Sequence, residues 1–107
     1  MCRGADEKLG QDLVVLDLRE LVNSFDVLII VSGRNDRQVR SIVEEVERVV
    51  TRDCAVRPLR VEGLTAGEWV ALDYGDVIVH VFDEAARAYY DLEHLWNTAR
   101  VLRAERA

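Results

Sequence analysis

A mixed α/β fold, one compact domain with a β-sheet of about five strands flanked by helices, is what the hydrophobic patterning of this chain predicts. Three observations carry that prediction. Leu13 to Leu18 and Phe25 to Ser32 are nearly continuous apolar runs, the pattern of strands covered on both faces. Arg37 to Val50 repeats its apolar residues at helical spacing. Trp69 to Asp73 and Val77 to Phe82 meet at the turn signal Asp73, Tyr74, Gly75 and Asp76, as two antiparallel strands joined by a short loop would. The order strand, strand, helix, three strands, helix makes the sheet mixed and not all parallel.

The two apolar runs belong at the sheet centre. In the helix, Val39, Ile42, Val43, Val46, Val49 and Val50 form the inner face, while Arg40, Glu44, Glu45, Glu47 and Arg48 take the solvated side. Asn35, with Gln38 three residues later, reads as a capping-box variant at its start. Arg40 with Glu44 and Glu44 with Arg48 are expected exposed pairs, worth a few tenths of a kcal/mol each. Val56 to Glu62 is the third strand, and Pro58, lacking a donor for the ladder, pushes it to an edge or a bulge. Asp83 is expected to cap a helix that includes Ala85 to Tyr90, and Asp91 to cap a further turn carrying Leu92, Leu95 and Trp96. Trp96 anchors that turn to the sheet. The charged tail, residues 97–107, is read as frayed or as a helical extension.

With 107 residues, one proline, no repeats and no low-complexity tract, residues 1–107 form a single domain. Such a domain is expected to have a gyration radius of roughly 13 Å and to bury about 65% of its unfolded surface. The 14 basic and 20 acidic residues leave a net charge of −6. That argues against a sequence-independent nucleic-acid binder, which needs a basic stripe to displace counterions from phosphates. Cys2 and Cys54 are far apart, without a CxxC spacing or a histidine cluster, and read as two free thiols in a reducing compartment. No run approaches the roughly 20 apolar residues of a membrane-spanning helix and no signal peptide opens the chain, so a cytoplasmic location is expected.

Val61 to Ala86 carries six carboxylates and no lysine or arginine. Alternation puts Trp69, Ala71 and Asp73 on one side of a strand and Val70 and Leu72 on the other. A strand tryptophan more often packs in or against a core, but a buried unpaired aspartate would be costly, so Trp69, sharing its face with Asp73, is read as a partner contact ahead of a pure core residue. An aromatic pair, Trp69 and Tyr74, beside acids at a hairpin tip suits a basic docking partner. His80, between Ile78 and Phe82 on its strand face, is expected to be a hydrogen-bonded structural residue. His94 is read as exposed or packed on Trp96, and the two histidines make no recognisable metal site.

Five segments carry a resemblance: Asp12 to Asp17 (DLVVLD), Asp26 to Gly33 (DVLIIVSG) followed by Arg37, Gln38 and Val39, Glu62 to Leu64 (EGL), Glu68 to Phe82 (EWVALDYGDVIVHVF), and Tyr90 to Trp96 (YDLEHLW). In order and spacing they resemble the ribosomal silencing factors, also called the Iojap-like family. The resemblance implies a nucleotidyltransferase-like topology without that active site. It also implies binding to the large ribosomal subunit through the protein numbered fourteen in the bacterial nomenclature. That binding would obstruct joining with the small subunit and repress translation under nutrient limitation. Neither catalysis nor a cofactor is needed, and a homodimer is implied for the free protein, with no membrane and no sequence-specific nucleic acid as partner. Carried over by position, the contact residues are Trp69, Asp73, Tyr74, Gly75 and Asp76, with Glu68 at the rim.

Family members commonly begin with a longer amphipathic helix. Here Met1 to Gly10 precede the first strand, and Ala5 to Leu9 resembles the last turn of that helix, shortened. Val27 and Leu28 are smaller than the residues the family usually has, a change expected to affect core packing. Two other classes compete with this reading. Ser32 and Gly33, at a strand-to-helix turn, resemble the small turn with which nucleotidyltransferases approach phosphates, but the following strand offers Arg57, Pro58, Leu59 and Arg60 where those enzymes need a carboxylate pair for magnesium. A generic dimeric module binding another basic protein is the other.

Overall fold

Seven residues from Val27 to Gly33 form the strand around which the molecule is organised (β2), and six of them are buried because both of its faces are covered. The computed structural model describes residues 11–22 and 25–105; the turn expected at Ala5 to Leu9 lies outside them. Before β2 comes β1 (Gln11–Asp17), and after it α1 (Asp36–Cys54), β3 (Arg60–Glu62), β4 (Trp69–Asp73), β5 (Val77–Asp83), α2 (Glu84–Tyr90), α3 (Leu92–Leu95) and β6 (Arg100–Glu105). The strands make one sheet in the order β3-β4-β5-β2-β1-β6. β2 and β5 are parallel from Val27 opposite Val77 to Gly33 opposite Asp83, and every other pairing is antiparallel. Parallel neighbours require a long crossover, and α1 with β3 and β4 supplies it.

Side-chain alternation along β2 divides the core in two. Ile29 and Val31 meet Val39, Ile42, Val43, Val46 and Val50 of α1 on one face. Leu28 and Ile30 meet Val14, Leu16, Phe82 and Ala86 on the other, where α2 and Trp96 complete the layer. The helix starts where expected: Asn35 Oδ1 accepts from the Gln38 N–H at 2.9 Å. The return bond is displaced by one residue, Gln38 Oε1 accepting from the Arg34 N–H at 2.6 Å.

Five expectations need correction. The tail does not fray or continue as helix; Arg100 to Glu105 form an edge strand against β1. Asp83 caps α2 through Ala86 N–H at 2.7 Å, but Asp91 gives α3 no side-chain cap, because it stands in the left-handed region at φ 49° as the C-cap of α2. Of the expected helix pairs neither forms: Arg48 pairs with Glu45, and Arg40 pairs with Asp36 at 2.9 Å. Arg40 is not merely solvated either, since its Nε and Nη2 donate to the carbonyls of Leu64 and Thr65 at 3.1 and 2.8 Å, tying α1 to the β3–β4 loop. Finally, Cys54 is disulfide-bonded and not a free thiol.

The β3–β4 loop is held by glycine. At Gly63, φ is +93° and an added Cβ would lie 2.1 Å from the Trp69 carbonyl oxygen, so no other residue fits without moving the start of β4. That close approach fixes where Trp69 enters the sheet.

Candidate functional site

β4 alternates as its sequence dictates. Val70 and Leu72 are buried toward α1, and Trp69, Ala71 and Asp73 occupy the opposite face. At the tip, Asp73 Oδ1 accepts from the Gly75 N–H at 2.8 Å and the Tyr74 N–H donates to Val77 O at 2.9 Å, while Gly75 supplies the positive φ, +91°, that the turn demands. Asp73 is therefore not an unpaired acid; besides Gly75 it faces Arg60 Nε of β3 at 3.7 Å. Asp76 is exposed, and its carbonyl accepts from the N–H groups of Asp26 and Val27. Glu68 is also exposed, but at the other end of β4. With about 3.3 Å of rise per residue, Trp69 and Asp73 stand roughly 13 Å apart. The expected contact residues thus divide between the two ends of a strand.

Tyr74 requires a correction. It is 9% exposed, its ring belongs to the α1 core, and burial pushes its hydroxyl up to about 12. It is not available as a surface contact. Parity gives the reason: after Val70 and Leu72, position 74 continues the buried face.

Trp69 is half-buried. Its ring stacks on Phe82 at 5.0 Å and lies tilted against Tyr90 at 4.6 Å and His80 at 5.6 Å. Its Nε1–H donates to His80 Nδ1 at 2.7 Å. His80 is thereby the structural, hydrogen-bonded residue expected, with Nδ1 unprotonated and any ring proton on Nε2. Burial pushes its imidazole down to about 4. The unfolded chain, with an ordinary histidine near 6.5, then binds more protons than the folded one between these values. Stability is full above pH 6.5 and is lost as pH falls toward 4, by about 3 kcal/mol in all. Urea unfolding across that range, with His80→Gln as reference, measures it; identical pH profiles for the two proteins would contradict the assignment.

Between the two ends of β4 runs a groove of about 350 Å³, floored by Trp69, Ala71, Ile78 and His80 and walled by Leu92, Leu95 and Trp96. Arg60, Glu62 and Asp73 form its polar edge. Leu95 is an apolar side chain 65% exposed here. This is the feature the sequence reading missed. It gathers Trp69 and Asp73, which share a strand face as expected, with Leu92 and Leu95 of α3 and with Trp96, for which the sequence suggests only an anchoring role. Trp96 does pack against the sheet, as expected of it.

The Ser32–Gly33 turn is differently used. Ser32 is buried and its Oγ accepts from Arg87 Nη1 at 2.9 Å, while Arg87 Nε donates to Glu93 at 2.8 Å. At Gly33 an added Cβ would meet Val39 N at 3.0 Å, so the glycine admits α1 against the strand. Among the described residues no group of three histidine, cysteine or acidic side chains is placed to share a metal ion, and no helix is long and apolar enough to cross a membrane.

Comparison with known proteins places these features in context. The family model described as "Ribosomal silencing factor during starvation" matches residues 1–107. A ribosomal silencing factor from Halalkalibacterium halodurans is 35% identical over 100 residues, covering 94% of this chain and 85% of that one. A crystal structure of a Chromobacterium violaceum protein superposes with a TM-score of 0.81 at 36% identity, covering 89% of this chain and 78% of that one. A more distant mouse protein, named for mitochondrial assembly of the ribosomal large subunit, is 26% identical over 90 residues, 82% of this chain but 40% of its own.

Proposed function

Since the chain belongs to the ribosomal silencing factor family, we propose that it docks on the large ribosomal subunit, through ribosomal protein number fourteen, and sterically blocks joining with the small subunit. Translation is repressed in the cytoplasm when nutrients are short, and the free protein is a homodimer. The observation that carries this reading is the groove along β4: an apolar floor and wall, with Glu62, Asp73 and the Arg60 that faces both of them at the polar edge, beside a segment, Val61 to Ala86, that has six carboxylates and no lysine or arginine. A basic protein presenting an apolar side chain next to cationic groups fits such a surface, because apolar burial supplies affinity and opposite charge orients the approach. The contact set is Trp69, Asp73, Gly75 and Asp76, with Glu68 at the rim and Leu95 added from the structure. The mouse relative's name, which concerns large-subunit assembly, agrees with the choice of subunit.

The action is exclusion, without cofactor or turnover. A nucleotidyltransferase-like reading is disfavoured because the hydroxyl that such an enzyme would turn toward phosphate is engaged by Arg87 inside the protein. Co-sedimentation with purified ribosomal subunits tests the proposal. The protein is expected to pellet with large subunits and not with small ones. Equal pelleting with both, or with neither, would remove it.

A further inference from the structure

The wall of the groove is poorly supported by its own segment. α3 has four residues, none buried, and no side-chain cap at its start. A single turn of helix has no stability of its own, since its nucleation cost is not recovered over so few residues. What holds it is external. Leu92 and Trp96 pack against the sheet, and Glu93 accepts from Arg87 Nε at 2.8 Å. The same guanidinium reaches Ser32 Oγ on β2 through Nη1 at 2.9 Å. The Arg87 side chain is 11% exposed and that of Glu93 30%, so the pair is partly desolvated, where charge-assisted bonds are stronger than on an open surface.

We propose that Arg87 is a positioning residue of the docking groove: its planar fork latches α3 to β2, through Glu93 on one side and Ser32 on the other, and so sets the place of Leu95. The proposal rests on the docking reading above for its function, but the latch is a property of the isolated protein. Lysine could not replace it, because a single ammonium lacks the rigid, divergent donors that address two elements at once.

Two measurements on the full chain test it. Substituting Arg87 itself would remove the donor to the buried Ser32 hydroxyl and could disturb the fold, so Glu93→Ala, which cuts the latch at its α3 end and keeps the Arg87 bond to Ser32, is the variant of choice. Amide hydrogen exchange at Leu95 and Trp96, whose N–H groups donate to Asp91 O and Leu92 O, is expected to quicken about tenfold while α1 and β2 keep wild-type rates, because only the local opening becomes easier. Glu93→Gln keeps an acceptor oxygen toward Nε and should stay within about twofold of wild type, since the hydrogen bond survives the loss of charge. Unchanged exchange at Leu95 and Trp96 in Glu93→Ala would overturn the latch. The second measurement is affinity for purified large subunits, compared with Leu95→Asp, which spoils the groove but leaves Arg87 and Glu93 in place. A loss in both variants supports the latch in its proposed role. Faster exchange with undiminished binding in both leaves the latch standing and removes the docking reading instead.

Discussion

Trp69→Ala should lower folding stability by about 3 kcal/mol and large-subunit affinity by at least tenfold, both at once. The folding loss follows from the contacts of the ring with Phe82, Tyr90 and His80, which alanine cannot replace. The binding loss follows from its place in the floor of the groove. Trp69→Phe separates the two effects. It keeps an aromatic face for the stack but removes the donor to His80 Nδ1, so it should cost about 1 kcal/mol of stability and little binding. Urea denaturation and co-sedimentation of the two variants decide the matter. Wild-type stability in Trp69→Ala would mean that the ring stands clear of the core.

Reversing both exposed acids, Glu68→Lys with Asp76→Lys, should weaken large-subunit binding by about 2 kcal/mol or more while leaving the melting curve nearly unchanged. These two are chosen over Asp73 because the Asp73 carboxylate holds the Gly75 N–H, and its replacement would loosen the turn itself. Wild-type affinity should also fall as salt rises, since exposed charges are screened over about 8 Å at physiological ionic strength. Binding titrations at several salt concentrations give both quantities. Equal affinity and equal salt dependence in the reversed protein would show that neither end of β4 meets a cationic partner.

The parts of the fold legible in the sequence are those whose local pattern and tertiary role agree. β4 occupies Trp69–Asp73 as expected, β5 runs one residue past its apolar run, and α1 buries the six aliphatic residues its spacing selects. β6 was not legible because Arg100, Leu102, Arg103, Ala104 and Glu105 are helix formers by propensity; pairing with the unsatisfied edge of β1 overrides it. The third strand shortened from Val56–Glu62 to Arg60–Glu62, beginning only beyond Pro58, whose missing donor had put it at an edge.

At the site, strict alternation placed Trp69 and Asp73 correctly on one face, and applied one step further would have buried Tyr74 with Val70 and Leu72. Arg87 carried a similar signal. Positions 83, 86, 87 and 90 share one helical face, the face of the cap and of buried Ala86, so an arginine there had to turn inward. The groove had no such signal, because its wall comes from α3 and its floor from strands that only the sheet order brings beneath it.

The most direct test of the central claim is the yield of joined ribosomes when purified large subunits are incubated with the protein before small subunits are added. The account predicts a yield that falls with increasing protein and recovers in Leu95→Asp, whose groove no longer receives the partner. Undiminished joining at saturating, subunit-bound wild-type protein would contradict it.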